Sequence, residues 1–106
     1  MNPVAMMRQV QEMQAKVTRF QEQLSQVDIE GQAGGGAVRI VLSGVPTVRK
    51  VVIAPGAMTP ESPEDLEDLV AAALGDALAK LEAYKASETE KMMGGIKLPP
   101  GMKLPL

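Results

Sequence analysis

The 106-residue chain has no cysteine, histidine or tryptophan, one phenylalanine (Phe20) and one tyrosine (Tyr84). Without cysteine there is no disulfide, no thiolate nucleophile and no structural zinc centre of the usual kind. Without histidine there is no Ser-His-Asp triad and no imidazole general base. Two aromatics cannot supply the stacking platforms on which single strands are read. No uncharged apolar stretch approaches the ~18 residues of a membrane span. No basic segment leads into a short apolar one at the start, as a secretory signal would require. The expectation is a cytoplasmic protein that is not an enzyme, holds no cofactor or metal, and has no membrane partner.

Charge is present, but unevenly placed. Lys plus Arg is 11 and Asp plus Glu is 13, for a net charge of −2. Residues 31–60 hold Arg39, Arg49 and Lys50 and no acid, whereas residues 61–90 hold nine acids against Lys80 and Lys85. The last residues add Lys91, Lys97 and Lys103. Partner choice follows such local fields more than the net charge.

Residues 3–26 predict a helix, with Asn2 as N-cap and Pro3 at its first position. Met6, Val10, Met13, Val17, Phe20, Leu24 and Val27 recur at alternating spacings of four and three, a coiled-coil period. So narrow a stripe suits a partner helix or a sheet edge better than the centre of a broad core. Met6, Val10, Met13, Val17, Phe20 and Leu24 are therefore the candidate homodimer interface, packing within the chain's own domain being the plainer alternative. Glu12 with Lys16, Arg8 with Glu12, and Arg19 with Glu22 are spaced to pair along this helix.

Alternating apolar residues then predict three antiparallel strands over 27–33, 37–43 and 47–54. Gly34–Gly36 and Gly44-Val45-Pro46 form the turns. The three glycines join two strands and no Gly-Lys-Ser/Thr follows, so a hairpin turn is preferred to a phosphate loop. A second helix is predicted over 63–93, with Ser62 as N-cap and Pro63 at its first position. The carboxylates Glu61, Glu64, Asp65, Glu67 and Asp68 complement its dipole, which explains them without a metal. Its broad apolar face from Leu66 to Tyr84 marks the core side. At 1.5 Å per residue the helix would run about 46 Å, against about 23 Å for a seven-residue strand, so its polar end overhangs the sheet. The organisation is one α+β domain over 1–95, followed by a Pro-rich mobile tail over 96–106 whose apolar side chains are available for docking.

This order of elements resembles the YbaB/EbfC family of bacterial nucleoid-associated DNA-binding proteins. The resemblance is carried by residues 6–14, by Val48-Arg49-Lys50-Val51-Val52-Ile53-Ala54-Pro55, by Leu66-Glu67-Asp68-Leu69-Val70-Ala71-Ala72-Ala73-Leu74 and, most specifically, by the tail Leu98-Pro99-Pro100-Gly101-Met102-Lys103-Leu104-Pro105. It implies a tweezer-like homodimer that binds double-stranded DNA in the nucleoid and contributes to nucleoid organisation and expression control. The basic residues expected to meet phosphates are Arg8, Lys16 and Arg19 on the first helix, Arg39, Arg49 and Lys50 in the strands, and Lys91, Lys97 and Lys103 near the end. The alternative is a dimeric scaffold for a replication or recombination protein.

Overall fold

The computed structural model describes residues 2–59 and 61–92. Its elements are helix α1 (Pro3–Gln26), strands β1 (Ile29–Ala33), β2 (Val38–Leu42) and β3 (Val48–Ile53), a short 3-10 turn at Pro55–Ala57, and helix α2 (Pro63–Met92). Met93 and the tail expected over 96–106 lie outside the described residues.

The ends of α1 follow from local chemistry. Asn2 accepts a side-chain hydrogen bond from the Val4 amide at 3.0 Å, and Pro3 occupies the first helical position, where its missing N–H is no loss. Val27 leaves the helix in an extended conformation while its amide still donates to the Gln23 carbonyl at 3.1 Å. That bond holds Val27 as the helix cap, which is why β1 begins at Ile29 rather than at residue 27.

The strands form a meander in the order β1-β2-β3, antiparallel throughout. Gly34, Gly35 and Gly36 take φ of 63°, 66° and 93°, a left-handed run that a side chain would resist, and they close the first hairpin. A register shift at Val41/Leu42 leaves Arg49 as an extra residue on β3.

Helix α2 lies across β1 and β2. Val38, Ile40 and Leu42 point at it and are buried together with Ala73 and Ala77. Gly31 makes the approach close: a Cβ there would overlap the Ala73 carbonyl and the Ala77 amide. Beside this contact the Asp76 carboxylate accepts from the Gln32 amide of β1 at 2.9 Å and from Lys80 Nζ at 2.9 Å. Leu69 packs at Gly34 while Ala73 and Ala77 pack at Gly31, so α2 runs antiparallel to β1 and leaves the sheet near Ile29.

There it meets α1, whose last turn feeds β1. Phe20, Leu24 and Leu81 are buried, and the Leu24 carbonyl accepts from the Gly44 amide at 2.7 Å. Gln23 Nε2 donates to the Tyr84 hydroxyl at 2.7 Å. One helix enters the sheet where the other leaves it, so the two form an antiparallel arm. The molecule is elongated, 71 × 27 × 16 Å along its principal axes.

Candidate nucleic-acid interface

The basic side chains fall into two groups. Arg8, Lys16 and Arg19 stand exposed on α1, and among the described residues none has a carboxylate within ion-pairing distance. At about 100° per residue they fall within roughly an 80° arc of the helix, and Arg8 and Arg19 are about 16 Å apart along it. The apolar stripe of Met6, Val10, Met13 and Val17 faces the opposite way. Glu12 sits within the basic arc, yet the expected pairs Arg8–Glu12, Glu12–Lys16 and Arg19–Glu22 are not closed among the described residues. Each side chain extends into solvent, where holding two long chains in one geometry costs about what the pair returns.

The second group lies on the sheet face away from α2. Arg39 and Lys50 share that face because their strand neighbours Ile40 and Val51 occupy the helix side. Arg39 reaches Glu30 at 3.7 Å, both half-exposed. Arg49, at the bulge, reaches Asp28 at 3.1 Å and also donates to the Ser25 carbonyl. It therefore fastens β3 to the junction between α1 and β1, a structural task the sequence did not reveal. Lys50 has no carboxylate partner among the described residues. Lys91 approaches Glu88 at 3.4 Å. Lys97 and Lys103 lie outside the described residues.

Of the six residues expected at a dimer interface, Phe20 and Leu24 are buried within the chain itself. Val17 is half-buried, and Met6, Val10 and Met13 are exposed. A second apolar surface escaped the sequence reading. Because α2 covers β1 and β2, the helix-side face of β3 is open, and Val48 and Val51 are about half exposed (54% and 49%). Ile53, Met58, Pro63, Leu66 and Val70 continue it as a groove of about 700 Å³, and Leu78 of α2 is exposed as well. The free edge of β3 borders this strip.

The carboxylates Glu64, Asp65, Glu67 and Asp68 are exposed on the first turns of α2. Among the described residues no three potential metal ligands converge, and no helix is long and apolar enough to cross a membrane.

Comparison with known proteins agrees with this architecture. The chain is 46% identical to a nucleoid-associated protein of Rhodospirillum centenum over 94% of each chain. It is 43% identical to nucleoid-associated proteins of Brucella anthropi, over 96% of this chain and 95% of the relative, and of Granulibacter bethesdensis, over 98% and 97%. The crystal structure of an uncharacterized Helicobacter pylori protein, HP0035, superposes with a TM-score of 0.76 at 18% identity, covering 89% of this chain and 99% of that one, and so shares its fold. Residues 1–96 match the model of the YbaB/EbfC DNA-binding family, to which this chain belongs.

Proposed function

We propose that the protein is a nucleoid-associated homodimer that holds duplex DNA mainly through phosphates, contributing to nucleoid organisation and expression control. The observation that carries this reading is the line of Arg8, Lys16 and Arg19 on one side of α1, without carboxylate partners among the described residues. Unpaired guanidinium and ammonium groups along a protruding helix give backbone contact without base readout. Arg39 and Lys50 extend the basic surface on the sheet. The Glu30 partner of Arg39 is half-exposed, and exposed pairs are worth about 0–1 kcal/mol, so a phosphate competes for this cation at small cost. The relatives' nucleoid association supports the same reading.

Assembly into a dimer is supported by the uncovered β3–α2 strip. Half a core face on a small chain is completed by a second copy of itself, since a two-fold axis brings the same patch to both sides.

The test is a salt titration of binding to duplex DNA of mixed sequence. A dimer that neutralises about six phosphates should show log K falling against log salt with a slope near −5, and weak dependence on sequence. Replacing Arg8, Lys16 and Arg19 by Ala should flatten that slope by most of its value. The Arg39→Ala/Lys50→Ala variant should change it less, and leaves the structural Arg49 in place. Salt-independent binding, or none, would favour the alternative of a scaffold for a replication or recombination protein.

A further inference from the structure

We propose that Arg49 is a positioning residue for DNA binding: it clamps the root of α1 to the β2–β3 hairpin and so aims Arg8, Lys16 and Arg19 at the duplex, without itself meeting a phosphate. This rests on the DNA-binding reading and deepens it.

The last four carbonyls of a helix have no partner within it. In α1 three of them are satisfied from outside the helix. The Val27 amide donates to the Gln23 carbonyl at 3.1 Å, the Gly44 amide to the Leu24 carbonyl at 2.7 Å, and Arg49 Nη2 to the Ser25 carbonyl. Two of these donors come from one place, the turn and the bulged strand of the β2–β3 hairpin. Gly44 is seated so closely that a Cβ there would overlap the Leu24 carbonyl. Arg49 Nε meanwhile reaches Asp28 Oδ1 at 3.1 Å, just past the helix. One guanidinium thus spans the end of α1 and its link to β1.

The side chain suits the task. The last turn of α1 holds no basic residue, so Arg49 is the cation at the negative end of the helix dipole. Its ion pair with Asp28 is half-exposed and worth little by itself. The planar guanidinium, however, presents two nitrogens in fixed geometry to two acceptors, which the point charge of a lysine does not. The bulge supplies the aim, because Arg49 is the extra residue of β3 while Lys50 returns to register opposite Val41.

Small changes at the root are magnified along the arm. Arg8 lies about 26 Å from Ser25 along α1, so a tilt of about 10° would carry it ~4–5 Å sideways. That exceeds the ~3.4 Å axial spacing of phosphates along one strand. Burial of Phe20, Leu24 and Leu81 selects the inward face of α1, but apolar contact is non-directional. The directed bonds at the helix end are what fix the tilt. With Nε and Nη2 both engaged, Arg49 is the basic strand residue least able to turn to a phosphate.

The chain has no cysteine, so Gln11→Cys and Gln32→Cys, both at exposed positions, take spin labels on the arm and on the sheet. The labelled chain is diluted into excess unlabelled chain, which excludes distances between copies. Its free form should give a narrow distance distribution that broadens in Arg49→Ala and Arg49→Lys. Affinity of Arg49→Ala for mixed-sequence duplex should fall roughly tenfold at every salt concentration, because the arm must then be ordered on binding. The slope of log K against log salt should stay as in wild type. Arg49→Lys should lose affinity as well, although it keeps the charge. Asp28→Ala should also weaken binding, although it removes a negative charge and unties Arg49. A slope reduced by about 0.9 for each Arg49 replaced would reveal a phosphate contact and overturn the proposal. Tighter binding by Asp28→Ala, full affinity in Arg49→Lys, or unchanged distances would overturn it too. If Arg49→Ala does not fold, Arg49→Lys and Asp28→Ala decide. Absence of salt-dependent binding by wild type would fell the DNA-binding reading and this proposal together. The other adverse results, with wild-type binding intact, count against the role of Arg49 alone.

Discussion

The two ends of α1 carry the same pattern and meet opposite fates. Phe20 and Leu24 are 5% and 4% exposed, whereas Met6 and Val10, earlier in the same alternating four-three series, are 47% and 56% exposed. Nothing in the spacing separates them. The difference lies in what stands opposite: Leu81, Tyr84 and the Gly44 turn at one end, and no described residue of α2 at the other. Periodicity defines the face that seeks cover; chain geometry decides where cover is found.

The most forceful way to break this comparison is to truncate both ends alike. Phe20→Ala should cost about 3–5 kcal/mol, the usual range for an aromatic removed from a packed site. Val10→Ala should cost no more than about 1 kcal/mol. Urea unfolding at one fixed protein concentration measures both. Equal losses would mean that the free end of α1 is as deeply buried in solution as the sheet-proximal end, and would return the whole heptad stripe to the dimer interface.

Much of the sheet-proximal half was legible in the sequence. Val38, Ile40 and Leu42 alternate with Arg39 and Val41, and the structure buries the first three. Gly34–Gly36 between two alternating runs signalled a hairpin, and their positive φ values explain the choice of residue. Other features depend on partners distant in sequence. Val48 and Val51, three apart in sequence, reach one face only through the bulge at Arg49, and the lateral position of α2 leaves them open. Arg49 and Lys50 are both basic residues of one strand, but the bulge turns Arg49 toward Asp28 and Ser25 as a fastening, while Lys50 has no carboxylate partner among the described residues. Gly31 offered a usable signal, since a lone glycine inside a strand marks close approach of another backbone.

Gly31 gives the next prediction. Gly31→Ala places a methyl group against the backbone of α2 at Ala73 and Ala77, and neither atom belongs to a side chain that could move aside. The cost should be near the upper end for overpacking, about 3 kcal/mol, with increased hydrogen exchange in α2 over residues 73–81. Gly35→Ala, where no atom lies near the added methyl, should perturb only the turn through its φ of 66°. Similar exchange patterns in the two variants would show that helix–strand proximity is not what Gly31 protects.

The open half of the sheet is examined by charge. Val51→Lys puts an ammonium group on the uncovered strip without entering the chain's own core. In the proposed dimer that charge is buried against its symmetry mate, and dimer dissociation should become roughly hundredfold easier, equivalent to about 2.7 kcal/mol. The matching change on the arm, Val10→Lys, should leave the dimer intact. Sedimentation across a concentration series distinguishes them, and the reverse result would exchange the roles of the two apolar surfaces.

The smallest effect concerns the fastening between α2 and β1. The Asp76 carboxyl is held below its ordinary value of 3.8, first by the hydrogen bond from Lys80, then by the Gln32 amide and the charge of Lys80, with desolvation acting in opposition. The folded protein therefore binds this proton more weakly than the unfolded chain. The resulting stabilisation is complete above the ordinary carboxylate range and fades as pH falls through the depressed folded value. Because the group is accessible, salt should reduce the effect further. Asp76→Asn retains an acceptor for the Gln32 amide and loses the ion pair; Asp76→Ala loses both. The melting temperatures of wild type and Asp76→Asn should differ modestly and constantly from neutral pH to about pH 5, then converge below about pH 4. Asp76→Ala should remain below wild type even there, because protonation of the native carboxyl leaves a carbonyl oxygen for Gln32 that alanine lacks. A wild-type advantage over Asp76→Asn that persisted unchanged to pH 2 would show that the contact does not depend on ionisation. Loss of Gln32 amide protection without a change at Met6 or Val10 would confine the fastening to the sheet-proximal half of the molecule.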